Sequence, residues 1–333
     1  MEQSNSLGSF KSLSPDIMLD AIESEGLACN GRFLALNSYE NRVFQVGLEE
    51  DGKETLMVAK FYRPQRWDDE AIIEEHHFTL QLEAAEIPVI SPIVNQQGKS
   101  LHHFGDYRFA LYPNRGGRAL ELDNAEHLEQ LGRFIGRIHA VGSKTDFSHR
   151  PTLDIDSFAI KPRAYLLEHN FIPDYLLPAY ESLSADLINQ VEQKFAAAGD
   201  VQLIRLHGDF HPSNILYRDD TPHIVDFDDA RTGPAVQDLW MFLSGDRQYM
   251  NQRLGDLLTG YEQFYEFNPR ELHLIEALRT IRIIHYAAWL ASRWNDSAFP
   301  LAFPWFNTNN YWESHILALR EQAAALNEPS LIW

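Results

Sequence analysis

The chain has one cysteine, Cys29, in 333 residues. An intramolecular disulfide is therefore excluded, and a reducing cytoplasm is the expected setting. Cations are also scarce: 28 lysines and arginines stand against 48 aspartates and glutamates, a formal net charge of -20. That balance argues against nonspecific binding to nucleic acid or to an anionic membrane, since both need a basic footprint. A phosphorylated ligand is still allowed, because a few fixed cations and a divalent metal can hold polyphosphate locally. Long apolar runs are missing as well. The most hydrophobic stretch, LHLIEALRTIRIIHYAAWLASRW (272–294), is interrupted by Glu276, Arg279, Arg282 and His285 and reads as a buried helix, not a membrane span. The opening MEQSNSLGSFKSLSPD lacks a basic start followed by an apolar core, so no signal peptide is expected. The expectation is a soluble, monomeric, cytoplasmic protein.

What is present is an ordinary globular composition, 44% hydrophobic and 23% charged, on a chain long enough for two domains. RVFQV (42–46), TLMVAKFY (55–62) and YRFALY (107–112) are rich in β-branched and aromatic residues and predict strands. Between them, Asp68 to Ala85 predicts a helix with Ile72, Phe78, Leu82 and Ala85 on one face. PNRGGRALE (113–121) breaks the pattern, and beyond it helices dominate. Leu128, Leu131, Ile135 and Ile138 form one stripe over 125–141, and helical pattern returns at 180–198, 235–243, 250–264, 270–294 and 311–325. The division is thus a sheet-rich part, 1–113, and a larger helical part, 114–333. An acidic hairpin is the only strand-like feature expected in the second.

That hairpin lies in RLHGDFHPSNILYRDDTPHIVDFDDA (205–230), where six aspartates and an asparagine sit beside strands that read as buried. Closed symmetrically about Asp220, it pairs Tyr217 with His223 and sets Asn214 opposite Asp226. One neutral and one anionic oxygen then converge, which suits Mg²⁺ completed by waters and phosphate oxygens. Asp209, on the loop leaving the strand LIRL, reaches the same place as a base that orients an incoming hydroxyl. Asp238 reads as a brace for this loop, with His139 and His207 as buttresses. Asp228 and Asp229 read as ion-paired or solvated in preference to ligands of a second metal. The Trp and Phe cluster at 289–306 reads as core packing.

Asp209, Asn214 five residues on, and Asp226 twelve further on resemble the catalytic loop and metal-binding aspartate of the protein-kinase superfamily. HGDFHPSN resembles in particular the aminoglycoside phosphotransferase and choline kinase branch. VAK ends in Lys60 on a predicted strand, resembling the lysine that holds the α- and β-phosphates of ATP. Glu75, preferred to Glu74 on its spacing from Pro88, resembles the glutamate that pairs with that lysine. LNSYENRVFQV, VAKFYRP, HRPT, GPAVQDLWMFL and FPW closely resemble the bacterial stress response kinase A family, over most of the chain.

The resemblance implies an α+β, two-lobed, protein-kinase-like fold, with a small antiparallel nucleotide-binding lobe (1–113) and a large helical catalytic and substrate-binding lobe (114–333). It implies an ATP- and Mg²⁺-dependent serine/threonine protein kinase that also autophosphorylates, with protein substrates as partners. In-line transfer would use Asp209 toward the acceptor, Asp226 and Asn214 on Mg²⁺, and Lys60, positioned by Glu75, on the inner phosphates. No GxGxxG is present, so backbone amides near NSYEN and the side chains of Ser38 and Asn41 would cover the phosphates, with Ser38 implied as an ATP contact. The arginine that precedes the catalytic aspartate in many protein kinases is absent too, and Asp226 to Gly233 leaves little room for a phosphorylated activation segment. The alternatives are a kinase for a small acceptor resembling an aminoglycoside, choline or homoserine, or a non-catalytic ATP-binding regulator. An insert of mixed polarity at 142–200, which includes His149, Arg150, Lys161, Arg163 and His169, favours a protein acceptor over a cationic drug.

Overall fold

The computed structural model describes residues 10–36, 38–50 and 52–333. It divides into two compact units that are not two contiguous stretches. Of the described residues, the first contains those up to Leu120 together with Phe147–Arg150 and Pro212–Ala230, and the second contains the rest.

The first unit is built on a five-stranded antiparallel sheet in the order β1-β2-β3-β5-β4, made of β1 (Cys29–Ala35), β2 (Arg42–Glu50), β3 (Lys53–Phe61), β4 (His102–Phe104) and β5 (Tyr107–Pro113). Alternation assigns its two faces. Phe44, Val46 and Leu48 of β2 and Ala59 and Phe61 of β3 join one buried cluster with Met18, Ala21 and Ile22 of α1 (Pro15–Glu23). Ser14 caps α1 by accepting the Ile17 amide. Val43, Val58, Lys60 and Tyr112 fall on the other face, since Val43 pairs with Lys60 and Val58 with Tyr112. On this side stands α2 (Asp69–Ala84), begun by Asp68, whose Oδ1 accepts the Ala71 amide at 2.8 Å. Its buried side carries Ile72, Glu75, Phe78, Thr79 and Leu82.

The acidic hairpin belongs to this unit, not to the helical one. Its strands β7 (Ile215–Arg218) and β8 (Thr221–Ile224) are tied to earlier chain: Tyr217 exchanges both backbone hydrogen bonds with Arg118, and Ile224 lies between Pro88 and Ile90. The register differs from the expected one by a residue. Tyr217 pairs with Pro222, Leu216 with His223 and Arg218 with Thr221. Asp219 (φ 50°) and Asp220 (φ 55°) both take the left-handed conformation, so the loop is a two-residue turn that twists with the strands instead of a three-residue turn centred on Asp220. Asn214 consequently stands across from Val225, whose amide donates to the Asn214 carbonyl at 3.0 Å, and not directly across from Asp226.

The second unit is helical: α3 (Ala125–Gly142), α4 (Lys161–Glu168), α5 (Leu177–Ala198), α6 (Arg247–Tyr261), α7 (Ile275–Arg293), α8 (Ala298–Ala302) and α9 (Asn309–Leu326). Helices α3 and α6 approach so closely that a Cβ added to Gly132 would overlap the Leu257 carbonyl, and one on Gly260 the Glu129 carbonyl. A strand pair is also present, β6 (Leu203–Leu206) antiparallel to β9 (Arg231–Pro234), so the hairpin is not the chain's only strand feature after residue 113. The helix expected at 235–243 is instead two 3₁₀ turns, Ala235–Asp238 and Trp240–Phe242, because Asp238 is turned inward onto backbone amides of the 207–208 loop. The aromatic residues of 289–306 pack on one another, Trp289 against Phe299 and Phe303 and Trp294 against Phe306. Among the described residues no helix is long and apolar enough to cross a membrane.

Candidate active site

The outward face of β3 and the buried side of α2 enclose, with the hairpin, a cavity of about 310 Å³ in the first unit. Ser38, Lys60, Glu75, Asn214 and Asp226 all line it, beside Val43, Val58 and Tyr112. Five of the six catalytic and cofactor candidates therefore share one space, whereas Asn41, also expected over the phosphates, is buried outside its lining with Oδ1 accepting the Arg63 amide at 3.0 Å.

Local structure explains how the hairpin residues reach it. A 3₁₀ turn, Pro212–Asn214, delivers Asn214 in a buried position just before β7. After β8 the backbone turns sharply, with Asp226 at φ 63° and ψ 64°. An aspartate in this left-handed well is strained by roughly 1–3 kcal/mol, which the surroundings must supply. Phe227 supplies part of it: fully inside, it meets Phe78 of α2 edge-on at 5.9 Å. The Asp226 side chain stays 55% exposed.

Charges are concentrated around Lys60, whose side chain is only 7% exposed. Its Nζ lies 3.1 Å from Asp226 Oδ1 and 3.1 Å from Asp228 Oδ1. Burial pulls the ammonium's pKa down, but Asp228, Asp226 and Glu75 outweigh it and hold the group well above the usual lysine range. The expected Lys60–Glu75 ion pair is not closed, because the two aspartates are the nearer partners. Burial pushes the Glu75 carboxyl up to about 7 against the attraction of Lys60, and its Oε2 is buried with no hydrogen-bond partner. Glu74, the competing choice, is engaged elsewhere in this unit, accepting the amides of Ser148, His149 and Arg150 at 2.6, 2.7 and 2.9 Å.

Asp228 is buried, which raises its pKa, yet Arg66 and Lys60 hold it below the ordinary carboxylate range. Arg66 ion-pairs with Asp228 and donates to Asp229 Oδ1 at 2.9 Å. Both aspartates are thus consumed by ion pairing. Among the described residues no group of three or more His, Cys, Asp or Glu could hold a metal. A resident all-protein cage does not fit this site. One amide oxygen and one exposed carboxylate facing a common cavity do fit Mg²⁺ brought in with phosphates.

Asp209, the sixth candidate, belongs to the second unit. It follows β6 and Gly208, whose φ of 84° suits glycine. The loop is braced from beneath. Buried Asp238 accepts the His207 and Gly208 amides at 2.8 and 2.9 Å and lies 3.2 Å from His139 Nε2, while His139 Nδ1 meets the Tyr261 hydroxyl at 2.8 Å. Gln237 donates to the Gly208 carbonyl at 2.9 Å. Asp209 itself is 25% exposed, with Arg282 Nη1 at 2.5 Å from Oδ1 and His211 Nε2 at 3.4 Å from Oδ2. Burial tends to raise its pKa, but His211 and Arg282 overcome that and hold the carboxyl well below the usual range. Arg282 and Arg66 received no role from sequence. Arg282 is one of four polar interruptions of the apolar segment 272–294, so nothing local set it apart.

Residues 32–275 match the phosphotransferase enzyme family APH. Stress response kinase A of Escherichia coli (strain K12) is 43% identical over 327 residues, covering 98% of each chain. The serine/threonine protein kinase RdoA of Salmonella typhimurium is 40% identical over 322 residues, covering 97% of this chain and 96% of that one. Among solved structures, amicoumacin kinase hAmiN in complex with AMP-PNP, Ca²⁺ and Ami superposes with a TM-score of 0.72 at 17% identity, covering 94% of this chain and 95% of that one.

Proposed function

This chain belongs to the stress response kinase A group of the phosphotransferase enzyme family, and we propose that it moves the γ-phosphoryl of ATP to serine or threonine hydroxyls of proteins, its own chain included. The single observation that carries this reading is the shared cavity, where the permanently charged Lys60 stands among Glu75, Asn214 and Asp226.

In this reading Lys60 binds the inner phosphates, releasing the aspartates that now face it, and Glu75 positions it. Asn214 and Asp226 would hold Mg²⁺, which neutralises charge on the phosphate oxygens. Ser38 contacts the phosphates from the turn that replaces a glycine-rich loop. Asp209, kept ionised by its cationic neighbours, orients the acceptor hydroxyl and takes its proton. Catalysis of this kind is positioning and charge stabilisation more than covalent chemistry. The reading includes a nucleotide-binding part in 1–113, a substrate-binding part in 114–333, and a monomer working in the cytoplasm without nucleic-acid or membrane partners, in keeping with the charge of -20.

The test is incubation with γ-labelled ATP and Mg²⁺ in the presence of a generic protein substrate, choline and an aminoglycoside. Label is expected on the chain itself and on the protein substrate. Rapid label on one small molecule and none on protein would overturn the choice of acceptor and leave the phosphotransferase chemistry standing.

A further inference from the structure

A base that accepts a proton from a hydroxyl must present a carboxylate oxygen with an available lone pair. Asp209 has a partner at each oxygen, the Arg282 guanidinium at Oδ1 and the His211 ring at Oδ2. The Arg282 contact, at 2.5 Å, is the shorter by far, and a charge-assisted bond of that kind weakens the carboxylate as a base. Yet the Arg282 side chain is 40% exposed, so an incoming acceptor can reach it.

The surroundings favour a particular acceptor. One turn further along α7, His285 stacks on Phe158 with centroids 4.5 Å apart, and the Arg231 guanidinium lies over the same ring at 4.6 Å. In a chain of net charge -20, Arg282 is thus an accessible cation beside Asp209, with the Arg231 guanidinium buried over the Phe158 ring in the same unit. Local cations within an acidic protein select for an anionic neighbour and repel few of its contacts.

We propose that Arg282 is a positioning and specificity-determining residue, which clamps Asp209 until an acceptor arrives whose hydroxyl is flanked by a carboxylate. The carboxylate takes over the guanidinium, Asp209 Oδ1 is freed, and the hydroxyl docks on it. As the acceptor oxygen bonds to the γ-phosphorus, the bond to the bridging oxygen breaks, ADP leaves with the electron pair, and the hydroxyl proton passes to Asp209. The inference rests on Asp209 being the base.

The experiment compares wild type, Arg282→Gln, Arg282→Lys and Asp209→Asn on two peptides, one with Asp and Glu flanking a serine, the other with Asn and Gln in their place. kcat and KM are measured separately across pH, with nucleotide affinity and melting temperature recorded for each variant. Arg282, His211 and His207 are among the groups that act on Asp209, and removal of Arg282 should raise its pKa. Wild type should prefer the acidic peptide by roughly tenfold or more in kcat/KM. Arg282→Gln should bring that ratio near unity, chiefly through KM, and move the acidic limb of the pH profile to higher pH, while Arg282→Lys restores part of the preference. An unchanged ratio and profile in Arg282→Gln, with Asp209→Asn inactive, would overturn the role of Arg282 alone. Transfer surviving in Asp209→Asn, or no label from wild type on either peptide, would instead overturn the reading beneath it.

Discussion

Replacing Glu75 by glutamine should make the nucleotide-free protein more stable at pH 8 and a worse enzyme. Glu75 is 2% exposed, and burial raises its carboxyl from 4.5 to about 7 even though Lys60 attracts it. A carboxyl raised in the folded state stabilises fully below its unfolded pKa, and that contribution is lost as pH rises from about 4.5 through about 7. The distance between the two values corresponds to about 3 kcal/mol at pH 8. Glutamine keeps the shape and does not titrate. The advantage of Glu75→Gln over wild type should therefore be near zero at pH 4.5 and grow to about 3 kcal/mol at pH 8, or about 4 °C in melting temperature if the whole chain unfolds together. Urea unfolding of both proteins over a pH series reads this difference directly. Taking the difference removes carboxyls that titrate alike in both, such as Glu271, which burial also raises to about 7. Phosphoryl transfer should fall, because Lys60 loses its positioning charge once nucleotide draws the aspartates away. An advantage that does not vary with pH, or a variant less stable at pH 8, would refute the assigned electrostatics.

Lys60→Met should lower turnover and nucleotide affinity far more than stability. Asp228 keeps Arg66 and Asp226 is largely exposed, so the loss should be about 1–3 kcal/mol, below the range for a fully broken buried pair, and apo melting curves with ATP titrations check it. Asp238→Ala strands two buried amides and unties His139, so a loss of about 3–5 kcal/mol in chemical denaturation is expected, together with exchange of the Gly208 amide. Gly260→Ala pushes a methyl into the Glu129 carbonyl and should lower the melting temperature sharply without altering the pH profile of residual activity.

The readable parts of this chain were those written locally. The strands announced themselves by β-branched and aromatic runs, and α2 by the spacing of its apolar residues, of which Ile72, Phe78 and Leu82 are buried. Asp209, Asn214 and Asp226 stand close enough in sequence for their spacing to be recognised, whereas Glu75 and Glu74 are adjacent and only the fold shows that Glu75 lines the cavity and Glu74 binds backbone amides. The hairpin register was missed because it depends on whether one aspartate or two occupy the left-handed well, and aspartate tolerates either turn. Asp228 and Arg66 lie 162 residues apart, and Asp209 and Arg282 lie 73 apart, so no local pattern joins them. The segment 235–243 carries helical periodicity, but the capping of buried amides by Asp238 won over it.

If Asp209 serves the acceptor and Asp226 the metal, binding and transfer separate in one paired measurement. Titration calorimetry of Mg-ATP is set beside single-turnover transfer of labelled phosphate for wild type, Asp209→Asn and Asp226→Ala. Asp209→Asn should bind nucleotide as wild type does and transfer almost none of it, whereas Asp226→Ala should lose nucleotide affinity along with activity. Equal loss of affinity in both variants, or undiminished transfer by Asp209→Asn, would contradict the account.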